Sequence, residues 1–257
     1  MRTGVPERHL QIEHAELSLL GNREENQDRV VIAADEDAAF IAVVDGMGGH
    51  SDGARAAEEA VRTMLAEFGG ASRPLFDPNG LLHLTIGRAH EAVVALGRGL
   101  PPESRPRATC AVCLVQGSSA FWVHVGDSRV YLLRSGRVAE RTRDHSHVEL
   151  LLRTGRITEG QALDHPMRNY VESCLGGDPA LPEMTLAGRR TLLPGDVLLL
   201  CSDGLWSGVT ETQIAALAGA RDRNLRDALS ELGASAVQTT APFADNTTAA
   251  ALRWHGP

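Results

Sequence analysis

Positive charge is scarce in this chain of 257 residues, which has 25 lysine and arginine residues against 33 aspartate and glutamate residues and a formal net charge of −8. Nucleic-acid-binding domains carry a basic stripe and peripheral membrane proteins a polybasic patch, so the balance argues against both. No stretch approaches the roughly 20 apolar residues of a spanning helix. The first 20 residues mix charged with apolar side chains and lack a signal-peptide core. We therefore expect a cytoplasmic protein without nucleic-acid or membrane partners.

Cysteine is also rare, with four residues at Cys110, Cys113, Cys174 and Cys201. Cys110 and Cys113 have the spacing of a metal or redox pair, but Val112, Leu114 and Val115 predict a strand here. In a strand, residues i and i+3 point to opposite faces. We therefore expect buried, inert thiols in a reducing compartment. No cysteine is followed by arginine at the Cys-x5-Arg spacing of a cysteine phosphatase.

Internal repeats and low-complexity tracts are absent, and 43% hydrophobic residues is ordinary for a globular core. Strands, then helices, then strands and helices again indicate antiparallel sheets with helices outside, an α+β layering in a single domain. The predicted strands are 12–20, 29–34, 38–44, 109–116, 119–125, 130–134, 197–201 and 247–254. The predicted helices are 51–68, 79–96, 147–154, 211–219 and 224–237.

The most informative stretch is Asp45-Gly46-Met47-Gly48-Gly49-His50, which follows the apolar strand pattern of 39–44. A strand ending in Asp-Gly presents a carboxylate and an unshielded carbonyl, hard oxygen donors that suit Mg²⁺ or Mn²⁺ better than zinc. Further aspartates stand at strand or turn junctions, so that the full set is Asp28, Asp45, Asp127, Asp203 and Asp245. A single aspartate at such a place is an ordinary turn residue. Several carboxylates at one rim of a packed sheet would repel one another unless a cation neutralised them.

The chain resembles the metal-dependent protein phosphatases, the protein phosphatase 2C-like serine/threonine phosphatases, in their bacterial form. Seven pieces match in the family's order across residues 21–254. They are Arg23-Glu24-Glu25-Asn26-Gln27-Asp28, Val43-Val44-Asp45-Gly46-Met47-Gly48-Gly49-His50, Val125-Gly126-Asp127-Ser128-Arg129, Asp144-His145-Ser146, His165-Pro166-Met167-Arg168-Asn169, Leu200-Cys201-Ser202-Asp203-Gly204-Leu205 and Asp245-Asn246-Thr247-Thr248.

The resemblance implies a four-layer αββα sandwich with two central antiparallel sheets, formed by residues 1–257, with a mobile flap at about 145–180. It implies that Asp45 bridges two Mn²⁺ or Mg²⁺ ions, with the carbonyl of Gly46 on one ion and Asp203 and Asp245 on the other. Asp28 belongs to the same metal site, acting mostly through ordered waters. Asp127, with Asp203, matches a weaker third metal position.

By the same resemblance, Arg23 clamps the substrate phosphate. Gln27, Asn246 and His50 are expected around the ions without holding them directly. His165, in the flap, is a candidate substrate contact, although a structural role is favoured. Met47 stands where eukaryotic relatives carry a histidine proposed as the general acid, and Ser207 stands where relatives often have Asp or Asn near the third metal.

The implied activity is hydrolysis of phosphoserine and phosphothreonine by in-line attack of a water shared by two ions. The implied partners are phosphoprotein substrates and a cognate Ser/Thr kinase, and we expect a monomer. The alternative is a catalytically silent relative that binds a phosphoprotein without hydrolysing it. Silent relatives usually lose a metal ligand, whereas the complete set here favours the enzyme.

Overall fold

Eleven strands and seven helices make up the described parts of the chain in a computed structural model, which describes residues 10–47, 52–219 and 223–256. The strands are β1 (Gln11–Leu19), β2 (Asp28–Ala34), β3 (Ala38–Met47), β4 (Arg107–Gln116), β5 (Ser119–Val125), β6 (Arg129–Arg134), β7 (Arg137–Arg141), β8 (Leu175–Gly176), β9 (Thr185–Thr191), β10 (Val197–Cys201) and β11 (Thr247–Gly256). The helices are α1 (Asp52–Gly70), α2 (Pro78–Leu96), α3 (His147–Arg153), α4 (Glu159–Leu163), α5 (Asp203–Trp206), α6 (Glu211–Ala215) and α7 (Leu225–Thr240).

The strands form two antiparallel sheets. One has the order β1-β11-β10-β6-β7 and the other has the order β2-β3-β4-β5-β9, with the short β8 paired to β4. Strands joined by short turns lie side by side, namely β2 with β3, β4 with β5, and β6 with β7. This arrangement confirms the antiparallel α+β architecture expected from the sequence.

Three apolar clusters, each between two layers of secondary structure, hold the sandwich together. Phe40, Ala42 and Val44 of β3 pack with α1 and α2, whereas Ile41 and Val43 of the same strand face the other sheet. A third cluster packs α5, α6 and α7 against the first sheet. Successive side chains of a strand point to opposite faces, so a strand covered on both sides must be apolar throughout. The layers are therefore helices, sheet, sheet and helices.

The two central cysteines follow the predicted alternation. Cys110 belongs to the cluster under α1 and α2, and Cys113 belongs to the cluster between the sheets. Both are fully buried and free. Burial raises the pKa of the Cys110 thiol to about 12, so this thiol stays protonated.

Five elements have no counterpart in the predicted pattern: the edge strands β7 and β9, the two-residue strand β8, and the short helices α4 and α5. β9 is half exposed and contains Gly188, Arg189 and Arg190, with a register shift opposite β5. Charged residues and bulges protect sheet edges from unwanted pairing, and they also erase the alternating apolar signal. The helix predicted at 211–219 ends as α6 at Ala215 and continues as a 3₁₀ turn, Ala216–Ala218.

No helix within the described ranges is both long enough and apolar enough to span a bilayer.

Candidate active site

The aspartates predicted at strand ends lie at one end of the sandwich. Asp28 begins β2 and Asp45 lies directly opposite it in β3. Asp127 follows β5, Asp203 follows β10, and Asp245 precedes β11. Asp28, Asp203, Asp127 and Asp245 all act electrostatically on Asp45, which shows that the five carboxyl groups share one region. We call these five residues the acidic rim.

Asp28 is held by the other sheet. The Ser202 hydroxyl donates a hydrogen bond of 2.7 Å to Oδ2 of Asp28, and the Thr248 backbone N–H donates one of 3.1 Å to the Ser202 hydroxyl. Asp28 is 3% exposed. The contact therefore fixes the Asp28 carboxyl where the two sheets meet. The sequence motifs predict no separate role for Ser202, and its position immediately before Asp203 is the signal that could have identified it.

Gly46 occupies a position that no larger residue can take. Its N–H donates a hydrogen bond of 3.2 Å to the carbonyl of Gln27. A Cβ at position 46 would overlap the carbonyl oxygen of Gly53 and lie 2.8 Å from the carbonyl oxygen of Gln27. The first turn of α1 and the loop before β2 thus close tightly around the Asp45-Gly46 strand end.

The Arg23 loop is tied to the segment before β11. Arg23 Nη2 donates a hydrogen bond of 2.6 Å to Oδ2 of Asp245. Asn246 braces the loop, because its side-chain NH₂ donates to the carbonyls of Leu20 and Glu25 and its Oδ1 accepts from the N–H of Gln27. Arg23 is 57% exposed, which leaves most of its guanidinium group available to a ligand.

Asp127 sits in the tight turn between β5 and β6 and is 8% exposed. Its backbone carbonyl accepts a hydrogen bond of 2.9 Å from the indole Nε1–H of Trp206, in α5. The turn is also fastened to His145, whose N–H donates to the carbonyl of Gly126 and whose Nδ1 accepts from the N–H of Gly126. His145 therefore fastens the turn that carries Asp127.

Carboxyl groups of the acidic rim hold protons more tightly than ordinary aspartates. Burial, with repulsion from Asp203, raises the pKa of Asp127 to about 8. Burial, opposed by the Ser202 hydrogen bond and assisted by repulsion from Asp203, raises the pKa of Asp28 to about 7. Burial and repulsion from Asp245 raise the pKa of Asp203 to about 6, and burial and the neighbouring aspartates raise the pKa of Asp45 well above its usual value. These shifts show that burial and mutual repulsion disfavour the charged form of these carboxyl groups.

The residues of the acidic rim fit divalent cations. Buried carboxylates that repel one another are the electrostatic setting that a bound cation relieves. Within the described ranges, no group of three or more aspartate, glutamate, histidine or cysteine side chains is placed to hold a metal ion unaided. Mg²⁺ commonly keeps several waters and takes only one or two carboxylates, so a site of few aspartates and the Gly46 carbonyl suits it, and an incomplete cage is no obstacle.

Several candidates have no described contact with the acidic rim. His165 Nδ1 accepts a hydrogen bond of 3.1 Å from the N–H of Met167, and its ring lies 6.4 Å from that of His147. His147 in turn pairs with Glu172 at 3.0 Å. His50, which is expected near the ions, lies outside the described residues, as do Gly48 and Gly49.

Comparison with known proteins agrees with this fold. The family model for protein phosphatase 2C matches residues 18–244. The serine/threonine phosphatase stp of Listeria monocytogenes is 33% identical over 196 residues, which cover 75% of this chain and 77% of stp. The structure of the Streptococcus agalactiae serine/threonine phosphatase superposes with a TM-score of 0.86 at 27% identity, covering 95% of this chain and all of that one.

A further similar structure is the catalytic domain of the serine/threonine protein phosphatase PstP in complex with two manganese ions. It superposes with a TM-score of 0.78 at 29% identity and covers 95% of this chain and 98% of that domain. The Mycobacterium tuberculosis PstP sequence is 34% identical over 192 residues, which span 75% of this chain and 36% of PstP.

The fold and the acidic rim define a metal-dependent hydrolase of the αββα sandwich type. The chain belongs to the protein phosphatase 2C family, the metal-dependent protein serine/threonine phosphatases, in its bacterial form.

Proposed function

We propose that the acidic rim is the catalytic centre at which this phosphatase hydrolyses phosphoserine and phosphothreonine in protein substrates. Asp45, the carbonyl of Gly46, Asp203 and Asp245 would hold two Mn²⁺ or Mg²⁺ ions, with Asp28 assisting beside them. Asp127 and Asp203 would share a weaker third position. The observation that carries the proposal is the convergence of five aspartates, four of them with raised pKa values, at one end of the family's fold.

Bound divalent cations would supply activation of the attacking water and neutralisation of charge on the phosphoryl group. The protein supplies the positioning. Arg23 offers a planar guanidinium that matches two phosphate oxygens, and its loop is braced by Asn246. Asp28 is oriented by Ser202 at 2.7 Å. The thiols of Cys110 and Cys201, both fully buried with pKa values of about 12, are unsuited to act as nucleophiles.

Residues 145–180 form the proposed flap. Its neck is closed by hydrogen bonds from the N–H of His147 to the carbonyl of Tyr170 (3.1 Å) and from the N–H of Glu172 to the carbonyl of His145 (2.8 Å). Met167 and Tyr170 are exposed within it. We expect the backbone amides of residues 148–169, which lie between the two neck hydrogen bonds, to exchange faster with solvent than the amides of β3 and β4. The reason is that residues 148–169 contribute little to the core. Uniformly slow hydrogen exchange across 148–169 would argue against a mobile flap.

The catalytic proposal is tested by hydrolysis of a phosphothreonine peptide and of para-nitrophenyl phosphate with Mn²⁺, with Mg²⁺ and with a chelator. Activity on both substrates should require metal and should be lost in Asp45→Asn. A folded protein that binds metal but turns over neither substrate would favour the silent phosphoprotein-binding alternative. We further propose, from the sequence, that the protein is a cytoplasmic monomer that opposes a Ser/Thr kinase.

A further inference from the structure

Trp206 links two parts of the acidic rim that are distant in sequence. Its indole Nε1–H donates a hydrogen bond of 2.9 Å to the backbone carbonyl of Asp127. Trp206 also ends the single turn of α5, which Asp203 begins. The N–H of Ser207 donates to the carbonyl of Asp203 at 2.9 Å and closes this turn. The indole ring and the Asp203 carboxyl are therefore carried by one hydrogen-bonded helical turn.

An ion pair between Arg129 and Asp144 packs against the face of the indole ring. The Arg129 guanidinium carbon lies 3.5 Å from the centre of the Trp206 ring. Arg129 also donates two parallel hydrogen bonds, of 2.8 and 2.7 Å, to the two carboxylate oxygens of Asp144. The side chains of Arg129 and Asp144 are only 15% and 8% exposed. A planar, bidentate and stacked arginine has one geometry, so the ring has little freedom to rotate.

The two carboxyl groups that this linkage connects oppose each other. Both are carboxyl groups of the acidic rim, and like charges repel each other. Without a support between them, the Asp127 turn and α5 would relax apart to reduce this repulsion. A cation that both carboxylates hold needs them at one fixed separation, since Mg²⁺ demands near-ideal octahedral geometry.

We propose that Trp206, clamped by Arg129 and Asp144, is a positioning residue that fixes the separation of Asp127 and Asp203 and so controls occupancy of the cation position they share. This inference rests on the proposed function, because it assumes that these aspartates hold a cation. It assigns to Trp206 a role beyond packing. If Trp206 had a packing role alone, its substitution would change the stability of the protein without selectively weakening the cation position that Asp127 and Asp203 share.

The test is a Mn²⁺ titration, by calorimetry and by electron paramagnetic resonance, of Trp206→Phe, which keeps an aromatic ring next to Arg129 and removes the indole N–H. The matched control is Trp254→Phe. Trp254 makes the same kind of hydrogen bond, from Nε1 to the carbonyl of Gly117 at 3.0 Å, in the turn between β4 and β5 and away from the acidic rim. Asp127→Asn identifies which phase of the isotherm belongs to the shared position, because it removes that carboxylate.

We expect Trp206→Phe to weaken the phase that Asp127→Asn abolishes by about five- to tenfold, the effect of one lost hydrogen bond. The tighter phase should match that of the wild type, and the melting temperature in chelator should match that of Trp254→Phe. Arg129→Lys keeps the positive charge but loses the bidentate hydrogen bonds to Asp144 and the planar stacking on Trp206, so it should weaken the same phase. It provides the test if Trp206→Phe does not fold. Together they would establish the role.

An unchanged weak phase in Trp206→Phe, or an equal loss in both phases, would overturn the inference while leaving the metal site itself intact. Failure of the proposed function has a different signature. In that case the wild type would show no Mn²⁺ binding, or Asp127→Asn and Asp203→Asn would both bind Mn²⁺ as the wild type does.

Discussion

Arg23 Nη2 and Asp245 Oδ2 lie 2.6 Å apart, so the residue proposed to clamp phosphate is paired with a residue proposed to hold a cation. The hydrogen bond and charge of Asp245 raise the pKa of Arg23, and Asp203 and Asp45 add to the effect. Arg23 thus acts as the acidic rim's own counter-ion. Its two proposed tasks, neutralising Asp245 and binding phosphate, are mutually dependent.

Arg23→Ala should raise KM for a phosphopeptide about 10- to 100-fold, the effect of losing a charge-assisted hydrogen bond to phosphate, with little change in kcat. The half-saturating Mn²⁺ concentration should fall severalfold, because Asp245 no longer gives up a cationic partner. Steady-state kinetics at varied peptide and metal concentrations measure both effects. Arg88→Ala is the control, since Arg88 has the same 57% exposure and also pairs with a carboxylate. A large fall in kcat with unchanged KM would contradict the phosphate role.

Asp203→Asn should reduce turnover by at least about 10³-fold and weaken Mn²⁺ binding, because Asp203 is shared between the proposed cation positions. The metal-free variant should remain folded, since the amide is nearly isosteric and removes a repelling charge. Calorimetry and circular dichroism measure the two properties. Asp77→Asn is the control, because Asp77 caps α2 through a hydrogen bond to the N–H of Gly80 and asparagine caps equally well. Near-normal turnover in Asp203→Asn would show that the metal assignment is wrong.

The metal-free protein should lose stability as pH rises from about 4, the usual carboxylate pKa, to about 8, the raised pKa of Asp127. The folded state holds protons on Asp28 and Asp127, with pKa values of about 7 and about 8, more tightly than the unfolded chain does. Their contribution to the free energy of unfolding is therefore complete below the usual carboxylate pKa and is lost as pH passes through the raised values. One such group contributes a slope of up to about 1.4 kcal/mol per pH unit.

Denaturant unfolding in chelator at several pH values measures this slope. Asp127→Asn should make it shallower, and saturating Mn²⁺ should remove it in the wild type because the cation displaces the protons. Mn²⁺ affinity should correspondingly rise with pH over the same range. A stability of the metal-free protein that is flat or rising over this range would contradict the raised pKa values.

Gly204→Ala should destabilise the fold by about 1 to 3 kcal/mol, the usual cost of overpacking. A Cβ at this position would overlap the carbonyl oxygen of Asn246, in the segment that carries Asp245. Metal affinity should fall as well, because α5 would be pushed away from that segment. Gly69→Ala, in α1, has no atom within 4 Å of the added Cβ and should be neutral or stabilising by up to about 1 kcal/mol. Thermal unfolding of the two variants provides the comparison.

Local patterns in the sequence were enough to predict the layered α+β fold and the strand ends at Asp45 and Asp203. β3 and β10 are buried on both faces, and their apolar runs stop where the chain emerges at the end of the sandwich. The ordered motifs predicted the family, which the comparisons confirmed. Edge elements such as β9 escaped prediction because charge and glycine, which protect an exposed edge, leave no periodic apolar signal.

Contacts between polar groups far apart in the chain were decided only by the tertiary structure. The pairing of Arg23 with Asp245, the support of Asp28 by Ser202 and the linkage of Trp206 to Asp127 join separate segments, and no local spacing encodes them. The raised pKa values have the same origin, because desolvation and mutual repulsion exist only after the five strand ends have met. The sequence by itself determined which residues could bind a cation, and the packing of two sheets determined their charge, their partners and their separation.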